Sequence, residues 1–326
     1  MSNLENSLRT ELFNQYAAGK GTSHASDPDH LTIHSTVTLD NDLKIVSRYT
    51  GWLKERGIPS RIKPAAAAAY VQAYLDDLEA RGLSPDSIHT IVFALLRAFR
   101  STGLKSENLN YPQRKSAPTK GRTSRDPDDY RPDADPDNPK FARLVTFARA
   151  VGIRRAEYAA LKGKDIEVVN GTMYVLVQRG KGGRKQRQRI AKKDAELVKS
   201  YFSDIAPDEF VFTKEELRNK INLHKIRREY AQGLYADLVA SMAADPNHRE
   251  ELIKEIKDAF AQAGEDWRKN SDMLKLDQPY RTRGNIRAEL EEKGLPTTFD
   301  RVALMYVSVF TLAHWRCDVT VKNYMM

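Results

Sequence analysis

The sequence predicts a multidomain chain: an all-α N-terminal domain, then a second domain of the α+β class, mainly helical with a small antiparallel sheet. Three observations carry that reading. The chain has 326 residues, and at about 100–200 residues per domain two domains fit. Apolar residues recur at helical spacing through residues 36–107 and again from residue 139 onward. The β signals fall together between residues 168 and 190, and a proline-rich stretch at 108–138 separates the two parts.

Residues 1–35 are polar and read as an N-terminal arm. His30 and His34 are spaced as two zinc ligands on one helix face would be. No cysteine or paired carboxylate accompanies them or His24, so a mobile arm is the expectation. A first helix is predicted from about Asp40 to Arg56, with Leu43, Val46, Tyr49 and Leu53 on one face and Gly57 as its stop. A second runs from Pro64 to just before Gly82, with Tyr70, Tyr74, Leu75 and Leu78 as its stripe. A third opens with Ser84-Pro85-Asp86, an N-cap followed by proline, and stops at Gly103.

Residues 108–139 hold six prolines, which excludes a long helix or strand. This is an interdomain linker, basic in its first half and acidic in its second. The second domain, 139–326, opens at Asn138-Pro139 with a helix carrying Phe141, Leu144, Val145 and Ala148, stopped by Gly152. A short helix from Arg154 to Leu161 follows. Val168 to Met173 reads as a hairpin around Asn170-Gly171, Met173 to Arg179 as its second strand and Arg184 to Ile190 as a third. Helices are then expected at about Asp194–Phe202, Glu215–Met242, Arg249–Ala263, Asn285–Lys293 and Asp300–Leu312.

Composition narrows the function. With Cys317 alone, an intramolecular disulfide and a cysteine-based zinc site are both excluded. The first residues lack a secretory apolar stretch, and no window approaches the roughly 18 apolar residues of a membrane span. The expectation is a soluble, intracellular protein without a membrane partner. The net charge of +9 is unevenly spread. Five basic residues and no acid lie between Leu109 and Arg125, including Arg114, Lys115, Lys120 and Arg122. Eight more lie between Gln178 and Lys193, including Lys181, Arg184, Lys185 and Arg187, which leaves the remainder at −4. Either block alone is compatible with a solvated face; two on a near-neutral background form an electrostatic footprint for phosphates, and these residues are the DNA-binding candidates.

One ordered set of residues stands out. Gly152-Ile153-Arg154-Arg155-Ala156-Glu157 opens a helix, and Lys181 sits in a glycine-flanked turn between two strands. His224 and Arg227 are three residues apart on one helix face. Leu312-Ala313-His314 ends a helix, with Tyr324 ten residues on. Over residues 140–326 this set resembles the tyrosine recombinases, the phage integrase family. The resemblance implies that the helical domain at 36–107 is the core-binding, SAM-like domain and that 139–326 is the catalytic domain. It implies Arg154 and Arg227 on the scissile phosphate, Lys181 as general acid, His224 and His314 in proton transfer or phosphate binding, and Tyr324 as nucleophile. The product is a 3′-phosphotyrosyl link with a free 5′ hydroxyl, which conserves the bond energy, so no ATP, metal or other cofactor is expected. Arg155 is the rival for the first arginine; the Gly-x-Arg-x-x-Glu register favours Arg154, with Glu157 at the family's acidic position.

The chemistry is sound on its own terms. Two guanidinium groups can hold one phosphate in fork geometry and stabilise the added negative charge of a pentacoordinate transition state. A tyrosine hydroxyl, with a pKa of about 10, needs neighbouring cationic or basic groups to act as nucleophile. A lysine on a turn can protonate the leaving 5′ oxygen.

Four features depart from the family pattern. Eighty-six residues separate Arg227 from His314, which an insertion at 243–296 explains. Its helix at Arg249–Ala263 is expected to contact a neighbouring protomer or to form a surface excrescence. Ala313 replaces a glycine, the interval from His314 to Tyr324 is one residue longer than the commonest form, and the sequence ends at Met326, where family members commonly continue with a docking helix. Trp315 is expected in packing or against the DNA backbone, and Tyr230 and Tyr306 in the core. The resulting expectation is a recombinase that clamps double-stranded attachment sites between its domains and synapses two duplexes as a tetramer. It would integrate or excise a mobile element or phage, with accessory DNA-bending or directionality proteins, in the cytoplasm and on the nucleoid of a prokaryotic host. A type IB topoisomerase-like relaxing enzyme and a catalytically silent DNA-binding regulator are the alternatives.

Overall fold

The computed structural model describes residues 3–22, 32–113, 132–178, 180 and 185–326. Among the site expectations, Arg114, Lys115, Lys120, Arg122, Lys181 and Arg184, and with them His24 and His30, lie outside the described residues. Two compact units form, Met1–Ser116 and Ala117–Met326.

The first unit is helical. Residues 4–19, expected as part of a polar arm, instead form α1 (Leu4–Gly19), capped by the Asn3 side chain. Leu4, Leu8 and Leu12 are buried at four-residue intervals. One residue per turn makes a stripe so narrow that the polar composition hides it, yet it suffices when α1 packs on two other helices. These are α2 (Thr36–Glu55), capped by Ser35, and α5 (Pro85–Ala98), capped by Ser84. The helix expected over 64–81 is split into α3 (Pro64–Ala68) and α4 (Val71–Ala80). The Ala67 carbonyl accepts both the Tyr49 hydroxyl at 2.6 Å and the Tyr70 N–H at 3.0 Å, which tightens the turn and ends α3. Inside the unit, Arg97 grips the buried Asp42 carboxylate through two bonds of 2.6 and 2.9 Å.

The second unit opens with a 3₁₀ turn at Pro139–Phe141 and α6 (Ala142–Val151), stopped by Gly152 in the left-handed region at φ +65°. A side chain there would also collide with the Tyr230 ring, 2.6 Å from the Cβ position. After α7 (Arg155–Tyr158), β1 (Ile166–Val169), β2 (Thr172–Val177) and β3 (Gln186–Arg189) form an antiparallel sheet in that order. Val169 pairs with Thr172, and Asn170 and Gly171 both adopt positive φ, the mirror-type turn that the Asn-Gly pair predicts.

Helices α8 (Ala195–Ser200), α9 (Lys214–Leu217) and α10 (Leu223–Ala244) follow. The single helix expected over 215–242 is broken at residues 218–222. There the Arg155 guanidinium takes the Asn219 carbonyl at 3.3 Å and that of Ile221, acceptors a continuous helix would need for itself. Asn222 then caps α10 by accepting from the Lys225 N–H.

The segment called an insertion contains α11 (Pro246–Gln262), β4 (Tyr280–Arg281) and α12 (Gly284–Glu292), and β4 pairs with β5 (Thr298–Phe299). It is no surface excrescence: Leu252, Ile256, Phe260, Met273, Leu276 and Leu290 share one core with α13 (Arg301–Val307) and the residues after it. The chain continues from α13 into a π-helical turn, Ser308–Leu312, and ends with α14 (Cys317–Tyr324). Neither α14 nor the β4–β5 pair is legible from hydrophobic period. Tyr306 is buried and Tyr230 partly so; Trp315 packs edge-on against Phe260, their centroids 4.6 Å apart. Among the described residues no helix is long and apolar enough to cross a membrane.

Candidate active site

Four stretches of chain meet at one cluster. The Gly152 stop delivers Arg154 to the start of α7, where its backbone N–H and guanidinium both bind the Glu157 carboxylate, at 2.7 and 2.8 Å. The break before α10 places His224 and Arg227 in that helix's first turns. The π-helical turn reshapes the end of α13, and wider turns of this kind often mark functional positions. It presents two carbonyls: Leu312 accepts from Arg154 Nη2 at 2.8 Å and from Arg227 Nη2 at 3.0 Å, and Thr311 also accepts from Arg227, at 3.1 Å. Glu157, almost fully buried, bridges the same arginines, its second oxygen 3.5 Å from Arg227 Nη1.

Arg227 is 1 % exposed. Burial is the chief influence on it and lowers its pKa; Tyr324 and Glu157 favour its charge and Arg154 opposes it. A guanidinium stays protonated through such shifts. Its Nε has no hydrogen-bond partner among the described residues. A cleft of about 360 Å³ lies over the cluster, lined by Arg154, Ala156, Asn222, His224 and Arg227 among others.

Helix α14 brings Tyr324 to the same place. Its ring, 2 % exposed, lies with its centroid 5.2 Å from that of His224 and 5.4 Å from that of His314, and the Arg227 guanidinium carbon is 5.9 Å from it. Gln232 of α10 holds the Tyr324 carbonyl at 2.8 Å. The His314 N–H bonds the Ser308 carbonyl at 3.0 Å across the π-helical turn. Five of the six expected catalytic residues, Arg154, His224, Arg227, His314 and Tyr324, therefore converge. The sixth, Lys181, lies outside the described residues. Arg155, the rival first arginine, is occupied at the break before α10.

Residues 131–247 match the model of the phage integrase family. Over this stretch of the second unit the chain is similar to the phage integrase family. That family is the class of the tyrosine recombinases, for which DNA binding and DNA recombination are the implied activities. The matched stretch contains Arg154, Glu157, Lys181, His224 and Arg227; His314 and Tyr324 lie beyond it. No curated protein matches the chain.

Two glutamines of the three-stranded sheet escaped sequence reasoning. Gln186 and Gln188 point inward from β3, where Gln186 bonds the Thr311 carbonyl at 3.1 Å and Gln188 the Val151 carbonyl at 2.8 Å. They tie the sheet to the π-helical turn and to the end of α6. The available signal was the Gln-Arg-Gln-Arg alternation, masked by reading the strand as a basic block. Of the DNA-binding candidates, Lys185 is exposed. Arg187 is held by Glu167 and by Gln262, the latter at 3.0 Å, so a phosphate would have to share it. Among the described residues no three His, Cys, Asp or Glu side chains converge as a metal site.

Partial burial and the Arg227, Arg228 and Arg154 charges lower the His224 pKa. Between that lowered value and the ordinary one of about 6.5, the folded protein binds fewer protons than the unfolded chain, so this group's contribution to stability rises with pH. The contribution is complete above about pH 6.5 and is lost as pH falls below it. Urea midpoints followed from about pH 7.5 down to about pH 5.5 should therefore fall more steeply for the wild-type protein than for His224→Gln.

Proposed function

We propose that the protein is a site-specific DNA recombinase that cuts and rejoins strands through a 3′-phosphotyrosyl intermediate, integrating or excising a mobile element or phage. The observation that carries this reading is the meeting of Tyr324 with His224, His314 and Arg227, residues from inside and outside the matched segment. Arg154 and Arg227 share Glu157 and the Leu312 carbonyl, which sets their guanidinium groups side by side at the cleft. A buried cation with an unspent donor is a receptor for phosphate oxygens.

In this reading the arginines bind the non-bridging oxygens and stabilise the charge that grows as the Tyr324 oxygen attacks phosphorus. His224, kept neutral at physiological pH by its surroundings, accepts the phenolic proton; His314 donates to a phosphate oxygen. The P–O5′ bond breaks as the P–O(Tyr) bond forms, and Lys181 protonates the departing 5′ oxygen. Attack by a 5′ hydroxyl from the partner strand reverses each transfer. The helical unit serves as core-binding domain, and four protomers synapse two duplexes, with accessory proteins setting direction.

The test is incubation with nicked duplexes whose core sequence is recovered from a randomised pool by binding to the protein. A denaturation-resistant protein–DNA adduct is expected, with a free 5′ hydroxyl on the released strand. Sequence-selective binding without any adduct would overturn the enzymatic reading in favour of a regulator. Relaxation of plasmids regardless of sequence would favour the topoisomerase-like one.

A further inference from the structure

Helix α14 has an unusual beginning. Its N-cap residue, Arg316, makes no side-chain cap bond, because a guanidinium has no acceptor to offer; it donates instead to Asp318. The first backbone N–H of the helix, that of Cys317, is instead accepted at 2.9 Å by the carboxylate of Asp272, a residue of the 243–296 segment 45 positions upstream. The other Asp272 oxygen binds Arg301 on α13 at 2.6 Å, and both side chains are largely buried. Two residues earlier, Asn270 donates to the Trp315 carbonyl at 2.9 Å, and its own oxygen accepts the Asp272 N–H at 3.0 Å. Phe260 of α11 closes the other side of Trp315.

These contacts fall on a backbone that needs them. Ala313 and Trp315 both sit at positive φ, +51° and +59°. That conformation is costly for residues other than glycine and persists only where the surroundings enforce it. Within the same helix–turn, Ser308 Oγ binds both the N–H and the carbonyl of Arg316, and the Ser308 carbonyl accepts the His314 N–H at 3.0 Å. From outside that helix–turn, the 243–296 segment adds the Asn270, Asp272 and Phe260 contacts.

We propose that Asp272 is a positioning residue for the strand-transfer reaction: the 243–296 segment acts within its own chain, capping the nucleophile helix and thereby placing Tyr324. The inference rests on the reading of Tyr324 as nucleophile. The lever is direct, since seven residues of helix, roughly 10 Å, separate the capped amide from the tyrosine. A misplacement of about 1 Å at the reacting atoms can cost about a hundredfold in rate. The segment's role is thus the geometry of its own active site rather than contact with a neighbouring protomer.

The experiment compares the full-length wild type with Asp272→Ala and Asp272→Asn. Adduct formation on the nicked duplex is followed in single turnover at saturating DNA, beside DNA affinity and backbone hydrogen exchange without DNA. Asp272→Ala is expected to slow adduct formation by about 10- to 100-fold and leave DNA affinity within about twofold. Exchange at the Cys317–Val319 amides should speed up while that of α10 stays unchanged. Asp272→Asn, which keeps an acceptor for the Cys317 N–H, should recover most of the rate. Wild-type exchange at Cys317–Val319 in Asp272→Ala, or an unchanged adduct rate, would overturn the proposal. So would a parallel loss of rate and affinity, which marks a general structural role. Accelerated exchange in Asp272→Ala, combined with either no wild-type adduct or an adduct that survives Tyr324→Phe, would support the cap and reject the nucleophile assignment.

Discussion

Tyr324→Phe is expected to abolish the covalent protein–DNA adduct of the proposed reaction, by roughly a thousandfold or more in rate, while leaving the fold intact. The substitution removes one oxygen and keeps the ring, so the packing against His224 and His314 survives. Because the Gln232 bond is to the Tyr324 backbone carbonyl, α14 keeps that anchor in the variant. DNA affinity should stay within about threefold of wild type, since the arginines at the cleft are untouched. The readouts are a denaturing gel of the nicked-duplex reaction and a binding titration at fixed salt. An undiminished adduct would move the nucleophile to another residue, and peptide mapping of the adduct would name it.

Glu157→Ala should damage both stability and chemistry. The carboxylate is 4 % exposed and is the anion shared by Arg154 and Arg227. Removing it leaves the buried Arg227 with carbonyl partners alone, and breaking a buried pair of this kind costs about 3 kcal/mol or more. It also removes the oxygen that holds the Arg154 N–H at the start of α7, so the two guanidinium groups lose their common reference. The urea midpoint should fall accordingly, and adduct formation should drop by about a hundredfold, the scale of losing one oriented charge stabiliser. Glu157→Gln, which keeps the shape and one acceptor, should lie between alanine and wild type on both measures. A variant as stable and as active as wild type would mean that the Leu312 carbonyl alone aligns the pair.

Helix boundaries were legible wherever a cap and a stop are local. Ser84-Pro85, Asn138-Pro139, Gly152 and the Asn170-Gly171 turn act where they stand in the chain, and each marks the expected element. The misreadings share a cause. The helix expected over 215–242 breaks because Arg155, some 60 residues away, takes its carbonyls; the helix over 64–81 breaks where the Tyr49 hydroxyl meets Ala67. In α1 a single leucine per turn looks polar until two other helices cover it. Electrostatics follow the same rule. Arg187 and Arg189, counted as free basic charge in sequence, are paired with Glu167 and Glu255.

By itself, the sequence determined which groups the chain brings to chemistry. Arginine, histidine and tyrosine identities and their order are independent of fold, and they sufficed for the resemblance to the recombinase family, with which the match over residues 131–247 agrees. Tertiary structure decided how those groups are held. Glu157 stood in sequence at the family's acidic position with no partner assigned, and the fold has it bridge two arginines 73 positions apart. The Leu312 carbonyl, invisible to any reading of side chains, becomes a shared acceptor only because the π-helical turn points it inward. Asp272 looked like one more acid in an added segment and sits instead at the head of the tyrosine's helix. The physical reason is common to all three: hydrogen-bond acceptors act over about 3 Å, and only folding brings residues distant in the chain within that range.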